Sequence, residues 1–180
     1  MIIAITDERG GMAKSIIAGR LAASRALAGR KVLLLDADPR QGAMAQARNM
    51  HDGAMHGSVT RPRLMARAIS AKGVQPELEH LVHCYHDIVI DSEGRDSMGS
   101  RSALAAARVL VVPLDGVADA AAQASLARRI AHARSSNPAL HVLLATDTPA
   151  SAAQALAAQI PAARVVSLGQ LYGAVFNLHA

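Results

Sequence analysis

The chain has 180 residues, 51% of them hydrophobic but only 2% aromatic, and a formal net charge of +5. That length suits one domain with a sizeable core built from Ala, Leu, Val and Ile, and the basic balance permits an acidic partner such as a nucleotide or a nucleic acid backbone. Cys84 is the only cysteine, which excludes an intramolecular disulfide, and no apolar run approaches the roughly 20 residues of a membrane span.

In chain order, residues 2–5 form an apolar run that reads as a buried strand. It breaks at Asp7-Glu8-Arg9 and the pair Gly10-Gly11, and Met12-Ala13-Lys14-Ser15-Ile16 opens an alanine-rich stretch. Strand, glycine loop, Lys-Ser and helix are the order of a phosphate-binding loop. Glycines let backbone N–H groups converge on phosphate oxygens, the lysine neutralises charge, and the helix N-terminus adds partial positive charge. The strict GxxxxGK[ST] pattern is not met, because Glu8 and Ala13 stand at its two glycine positions. Alanine suits position 13 if the backbone there is helical, and not if φ is positive.

Residues 13–28 predict a helix with Ile17, Leu21, Ala22 and Leu27 on its apolar side, Arg20, Ser24 and Arg25 on its polar side, and Gly29 as its stop. Residues 32–35 predict a strand of the kind buried on both faces of a parallel sheet. It ends in Asp36-Ala37-Asp38-Pro39, two carboxylates where α/β sheets bind ligands. A short helix is expected at 43–49, then a loop, then helices at 61–71 and 76–84. A strand at 88–90 closes on Asp91. Beyond it come a helix at 100–107, a strand at 109–112 ended by Pro113, a helix at 118–134, a strand at 141–145, a helix at 150–159, a strand at 164–166 and a helix at 171–178. Strands alternating with helices predict a doubly wound, mainly parallel sheet with helices on both faces, in one domain spanning residues 1–180.

The loop with Lys14-Ser15, the Asp36-x-Asp38 strand end and the Asp91 strand end can converge on one magnesium-nucleotide, since Mg²⁺ needs few protein contacts. Each feature alone has a plainer reading, because an Asp after a strand is also a common helix N-cap. His80, His83, Cys84 and His86 have conceivable metal-ligand spacing but straddle an expected turn, so their side chains should diverge. Arg128, Arg129 and Arg134 near a helix C-terminus favour the helix dipole, or form a patch for non-specific DNA with steep salt dependence. There is no Gly-x-Ser-x-Gly elbow of a serine hydrolase.

Taken in this order, the motifs resemble the ParA/MinD family of deviant Walker P-loop ATPases, nearest to the small ParA-type partition proteins. The family loop Lys-Gly-Gly-x-Gly-Lys-Thr is matched by Arg9-Gly10-Gly11-Met12-Ala13-Lys14-Ser15, with Ile16 at the usual second hydroxyl position. Its Asp-x-Asp-Pro strand end is matched by Asp36 to Pro39 with Gln41 following, and its Walker B strand by residues 85–94. The resemblance covers residues 1–144.

It implies ATP or ADP with Mg²⁺ as ligands and a weak ATP hydrolase. Residues 9–16 would cradle the nucleotide, with Lys14 on the β- and γ-phosphates and Ser15 on the metal. Asp36 and Asp91 would hold water on the metal, and Asp38 would position the attacking water. Arg9 stands where the family's signature lysine reaches the partner's nucleotide in an ATP-bound homodimer, and Gly10 and Gly11 let the two chains approach. The resemblance further implies a switch in plasmid or chromosome partition or in cargo positioning. A small DNA-binding or cargo adaptor protein would be the partner, and non-specific DNA could be held through the arginine-rich surface. The location would be cytoplasmic, at the nucleoid if DNA is bound, with no membrane partner and no leader peptide. The C-terminus is expected to be short for the family. An alternative implied function is a degenerate nucleotide-binding scaffold or regulator. An amidotransferase-type synthetase shares the loop but needs more chain.

Overall fold

A computed structural model describes residues 1–7, 12–54, 64–94, 96–114, 120–147 and 151–178. Seven parallel strands form one sheet: β1 (Ile2–Ile5), β2 (Val32–Asp36), β3 (Leu64–Ala68), β4 (Asp87–Asp91), β5 (Val109–Pro113), β6 (His141–Ala145) and β7 (Arg164–Val166), in the spatial order β3-β2-β4-β1-β5-β6-β7. The crossovers are α1 (Met12–Leu27), α2 (Gly42–Ala54), α3 (Val74–Leu81), α4 (Met98–Ala106), α5 (Ala120–Ser136) and α6 (Ser151–Gln159). A last helix, α7 (Leu168–Asn177), follows β7. The expected doubly wound α/β fold is the one observed.

Side chains alternate along each strand, and the alternation divides the core in two. Leu33, Leu35, Ile88, Ile90, Leu110 and Val112 face one side, packed with Val74, Leu104, Leu126, Ile130 and Leu156 of α3 to α6. Ile3, Ile5, Val32, Leu34, Val89 and Val111 face the other, packed with Leu21 of α1, Ala43 and Ala47 of α2, and Val175 of α7. With few aromatics, helices must come close to the sheet and to each other. Gly19 marks the closest approach: a Cβ there would lie 2.7 Å from the carbonyl oxygen of Ala43 in α2.

Two expectations are corrected. The helix expected at 61–71 is instead the edge strand β3, whose residues 64–68 pair in register with 32–36 of β2. Leu64 and Ala66 reach the core on one face while Met65 and Arg67 point outward, so the ladder offered by β2 overrides a weak local preference. Arg25, expected on the polar side of α1, is buried. Its Nε and Nη2 donate to the two Asp87 oxygens at 2.7 and 3.0 Å, Arg30 pairs with the same carboxylate, and the Arg25 guanidinium lies 4.6 Å over the Phe176 ring. Burial pushes the Asp87 carboxyl up, but the two arginines override it and hold its pKa at about 2. This cluster ties the far end of α1 to the start of β4 and to α7.

Candidate functional site

The sheet brings three chain segments to one edge. Asp36 and Asp91 are register partners at the C-terminal ends of β2 and β4, and Ile5 is the partner of Asp91 at the end of β1. Lys14 and Ser15 lie in the first turn of α1, which leaves the sheet at that same edge. Lys14 Nζ donates to Asp38 Oδ2 at 3.1 Å and to Asp91 Oδ1 at 2.5 Å, with no side-chain exposure at Lys14. Ser15 Oγ donates to the second Asp91 oxygen at 2.6 Å. Four of the sequence-derived site residues (Lys14, Ser15, Asp38 and Asp91) are therefore in direct contact.

Asp36 stands beside them with a different task. It accepts the backbone N–H of Asp38 at 3.2 Å and that of Met44 at 3.0 Å, so it fixes the loop between β2 and α2. In that loop Gln41 N–H donates to the Asp38 carbonyl at 2.9 Å and Gln41 has φ of 52°, a left-handed conformation uncommon for a residue other than glycine. Ser92 Oγ donates to the Ile5 carbonyl at 2.9 Å and locks the end of β4 to the end of β1. Gln41 closes the strand-end motif noted in the sequence, whereas Met44 and Ser92 carried no signal there beyond their neighbourhood to the acidic residues.

Burial sets the electrostatics. It raises Asp91 to about 6 even though Lys14 and Ser15 pull it down, and it raises Asp36 against the pull of the Met44 and Asp38 N–H groups. Burial also pushes Asp38 up, but the Arg40 N–H and the Lys14 ammonium prevail and leave it below its usual value. One ammonium thus faces two carboxylates of opposite shift, an arrangement typical of functional sites. A recess of about 410 Å³ lined by Asp36, Asp38, Gln41, Ser70 and Glu93 opens beside it.

Ala13 lies inside α1, and the described residues other than glycine with positive φ are Gln41 and Ala162. The methyl group therefore sits on helical backbone, without conformational strain. Met12 is 76% exposed at the start of α1, and Ile16 is half-buried. Glu8, Arg9, Gly10 and Gly11 lie outside the described residues. Among the described residues, no group of three His, Cys, Asp or Glu side chains is arranged to hold a metal ion directly. His86 Nδ1 accepts the Lys31 N–H at 3.0 Å, so that ring nitrogen is engaged by the backbone. The donor set of Ser15 and Asp91, all hard oxygen, nevertheless suits Mg²⁺ that keeps most of its waters.

The three arginines of α5 do not form one patch. Arg134 bonds the Leu140 carbonyl and pairs with that of Pro161, while Arg129 Nη2 donates to the Asp7 carbonyl at 3.3 Å. Arg128 is exposed.

A lysine and a serine at the first turn of the helix after β1, facing the acidic ends of β2 and β4, have the arrangement seen in P-loop folds. Residues 1–73 match a family model described as an AAA domain, AAA_31. No curated protein matches the chain in sequence. The fold is similar to the MinD cell division protein of Aquifex aeolicus, with a TM-score of 0.65 at 17% identity, covering 96% of this chain and 84% of that one. It is similar to apo McdA from Cyanthece, with a TM-score of 0.65 at 18% identity over 99% and 90%. A plasmid partition protein of Borrelia burgdorferi gives a TM-score of 0.64 at 15% identity over 99% and 97%. The chain thus has the fold of the ParA/MinD-family P-loop ATPases, and the N-terminal match supports the same resemblance. No helix among the described residues is long and apolar enough to cross a membrane.

Proposed function

We propose that this chain binds ATP and ADP with Mg²⁺ at the edge formed by β1, β2 and β4, and uses the nucleotide as a weak, hydrolysable dimerisation switch in positioning DNA or another cargo. The observation that carries this reading is the convergence of Lys14 and Ser15 on Asp38 and Asp91. In the nucleotide-free form, the Lys14 ammonium is neutralised by the two carboxylates. A phosphate group offers it an alternative partner of equal sign and greater charge, so binding exchanges one set of charge-assisted bonds for another.

Ser15 would ligate Mg²⁺, with Asp36 and Asp91 holding water in its shell. Bound there, the metal would neutralise charge between the β- and γ-phosphates. Asp38, kept ionised, would orient the attacking water. Arg9 with Gly10 and Gly11 would meet the second chain, and the exposed Met12 and Met98, at 76% and 64%, offer apolar surface at the starts of α1 and α4. An adaptor protein would stimulate turnover. DNA contact through Arg128 has weaker support than it had in the sequence, because Arg129 and Arg134 bond backbone carbonyls.

One observation favours the alternative of a nucleotide-binding scaffold with little turnover: complete burial of Lys14 between two acids sets a cost on releasing it. Isothermal titration with MgATP and MgADP, with sedimentation alongside, tests the reading. Saturable binding lost in Lys14→Ala and an ATP-dependent dimer are expected. Asp38→Ala should keep binding and lose turnover. Absence of nucleotide binding in the wild-type chain overturns the proposal, and binding without turnover selects the scaffold.

A further inference from the structure

We propose, resting on the nucleotide site described above, that Gly42 is a positioning residue for the divalent cation that accompanies the nucleotide. By carrying no side chain, it keeps the first turn of α2 clear of the Ser15 hydroxyl, and it acts on the metal through Ser15.

Backbone conformation does not ask for glycine at this position. Gly42 is the first residue of α2, and among the described glycines only Gly29 has a positive φ. Glycine is a poor helix former, about 1 kcal/mol behind alanine in a helix interior. One residue earlier, Gln41 does have a left-handed backbone, with φ of 52°, where glycine would be free of strain. The chain thus carries its glycine one position beyond the one that the backbone of the turn favours.

Space beside Ser15 accounts for that placement. A Cβ at Gly42 would lie 3.0 Å from Ser15 Cβ and 3.3 Å from Ser15 Oγ, inside the roughly 3.5 Å at which ordinary contact begins. Neither side withdraws freely. Ser15 is buried in the first turn of α1. The start of α2 is held by the Met44 N–H on Asp36 at 3.0 Å and by the Gln41 N–H on the Asp38 carbonyl at 2.9 Å, with Ala43 fully buried behind it.

The Ser15 hydroxyl proton is already committed, because Oγ donates to Asp91 at 2.6 Å. The lone pairs of that oxygen remain for a cation. Mg²⁺ demands near-ideal octahedral geometry with oxygens at about 2.0–2.1 Å and keeps several waters, so the waters next to Oγ would sit roughly 3 Å from it. A methyl carbon 3.3 Å from Oγ stands at that same range. Moving Ser15 by a few tenths of an ångström to relieve the contact would misplace the protein oxygen on which the ion depends. The expected result of a methyl group at position 42 is therefore a selective loss of the metal, with nucleotide contacts elsewhere retained.

Metal dependence of binding is the readout. ADP affinity of the full chain is measured by isothermal titration with Mg²⁺ and again with EDTA, and Mn²⁺ with ADP is followed by electron paramagnetic resonance. In the wild-type chain, ADP is expected to bind more tightly with Mg²⁺ than with EDTA. Gly42→Ala should leave the EDTA affinity unchanged and cut the gain from Mg²⁺ about tenfold or more, the usual effect of losing a residue that orients a metal ligand; Mn²⁺ affinity should fall in parallel. In a Ser15→Ala background, where the ligand oxygen is gone, adding Gly42→Ala should cause no further loss. Circular dichroism verifies folding. The swap Gln41→Gly with Gly42→Ala relieves the left-handed backbone at position 41, which secures folding, and it should show the same loss of metal dependence. Full metal dependence in Gly42→Ala and in the swap overturns the inference, as does an equal loss of affinity with and without metal, which would make Gly42 a packing residue only. Wild-type binding indifferent to Mg²⁺ overturns it too. A wild-type chain that binds no ADP in either buffer removes the nucleotide reading itself, whereas metal-dependent wild-type binding with unaffected variants leaves that reading standing.

Discussion

Replacing Gly19 by alanine probes the contact that lets α1 and α2 share one face of the sheet. A Cβ at this position would lie 2.7 Å from the Ala43 carbonyl oxygen, 2.8 Å from Gln46 Cβ and 3.0 Å from Ala47 N. Two of the three atoms are backbone, so no side-chain rotation relieves the overlap. Ordinary contact begins near 3.5 Å, and α2 must therefore move away by about 0.5 to 1 Å. Overpacking of this kind costs about 1–3 kcal/mol, while the change from glycine to alanine inside a helix returns about 1 kcal/mol. The net expectation is a loss of about 0–2 kcal/mol. Gly173 in α7 supplies the control: it is exposed and a Cβ there meets nothing within 4 Å, so Gly173→Ala should stabilise by about 0.5–1 kcal/mol. Urea unfolding followed by far-ultraviolet circular dichroism, with equal slopes for the variants, measures both. Because Met44 N–H holds Asp36 and Gly42 packs on Ser15, displacement of α2 should also weaken nucleotide binding. Equal stabilisation by the two substitutions would refute the account of close packing at Gly19.

Asp87→Asn should destabilise by about 3–5 kcal/mol, since it leaves the buried Arg25 without a counter-charge; the same urea titration reads it. In the wild-type chain, Asp87 has a folded pKa of about 2 against 3.8 unfolded. Its contribution is therefore present above pH 3.8 and is lost as pH falls through 2, amounting to about 2 kcal/mol. Asp91 has the opposite sign: with a folded pKa of about 6, its contribution is present below pH 3.8 and lost as pH rises through 6. Nucleotide-free protein should accordingly gain stability between pH 7 and pH 5, with Asp36, also raised, adding to the trend. Asp91→Asn should flatten that rise, and an unchanged pH profile in the variant would show that Asp91 is not the group responsible.

The sequence by itself determined the features whose causes are local. Apolar runs closing on Asp36 and Asp91 mark strands with acidic C-terminal ends, and Lys14-Ser15 in an alanine-rich stretch marks the start of a helix. In both cases the informative residues are neighbours in the chain. Alternating strands and helices then leave few topologies besides a doubly wound parallel sheet. The tertiary structure decided what depends on partners far away in sequence. β3 is a strand because β2 presents an unpaired ladder, not because residues 64–68 prefer one. Arg25 is an interior residue because Asp87 is delivered to it from another strand. Ala13 is acceptable because the helix has already begun there. Above all, the sequence names Lys14, Ser15, Asp38 and Asp91 without saying that they touch. Their contact follows from placing β4 between β1 and β2, since an ion pair needs its members within about 4 Å and only the packing of the sheet supplies that distance.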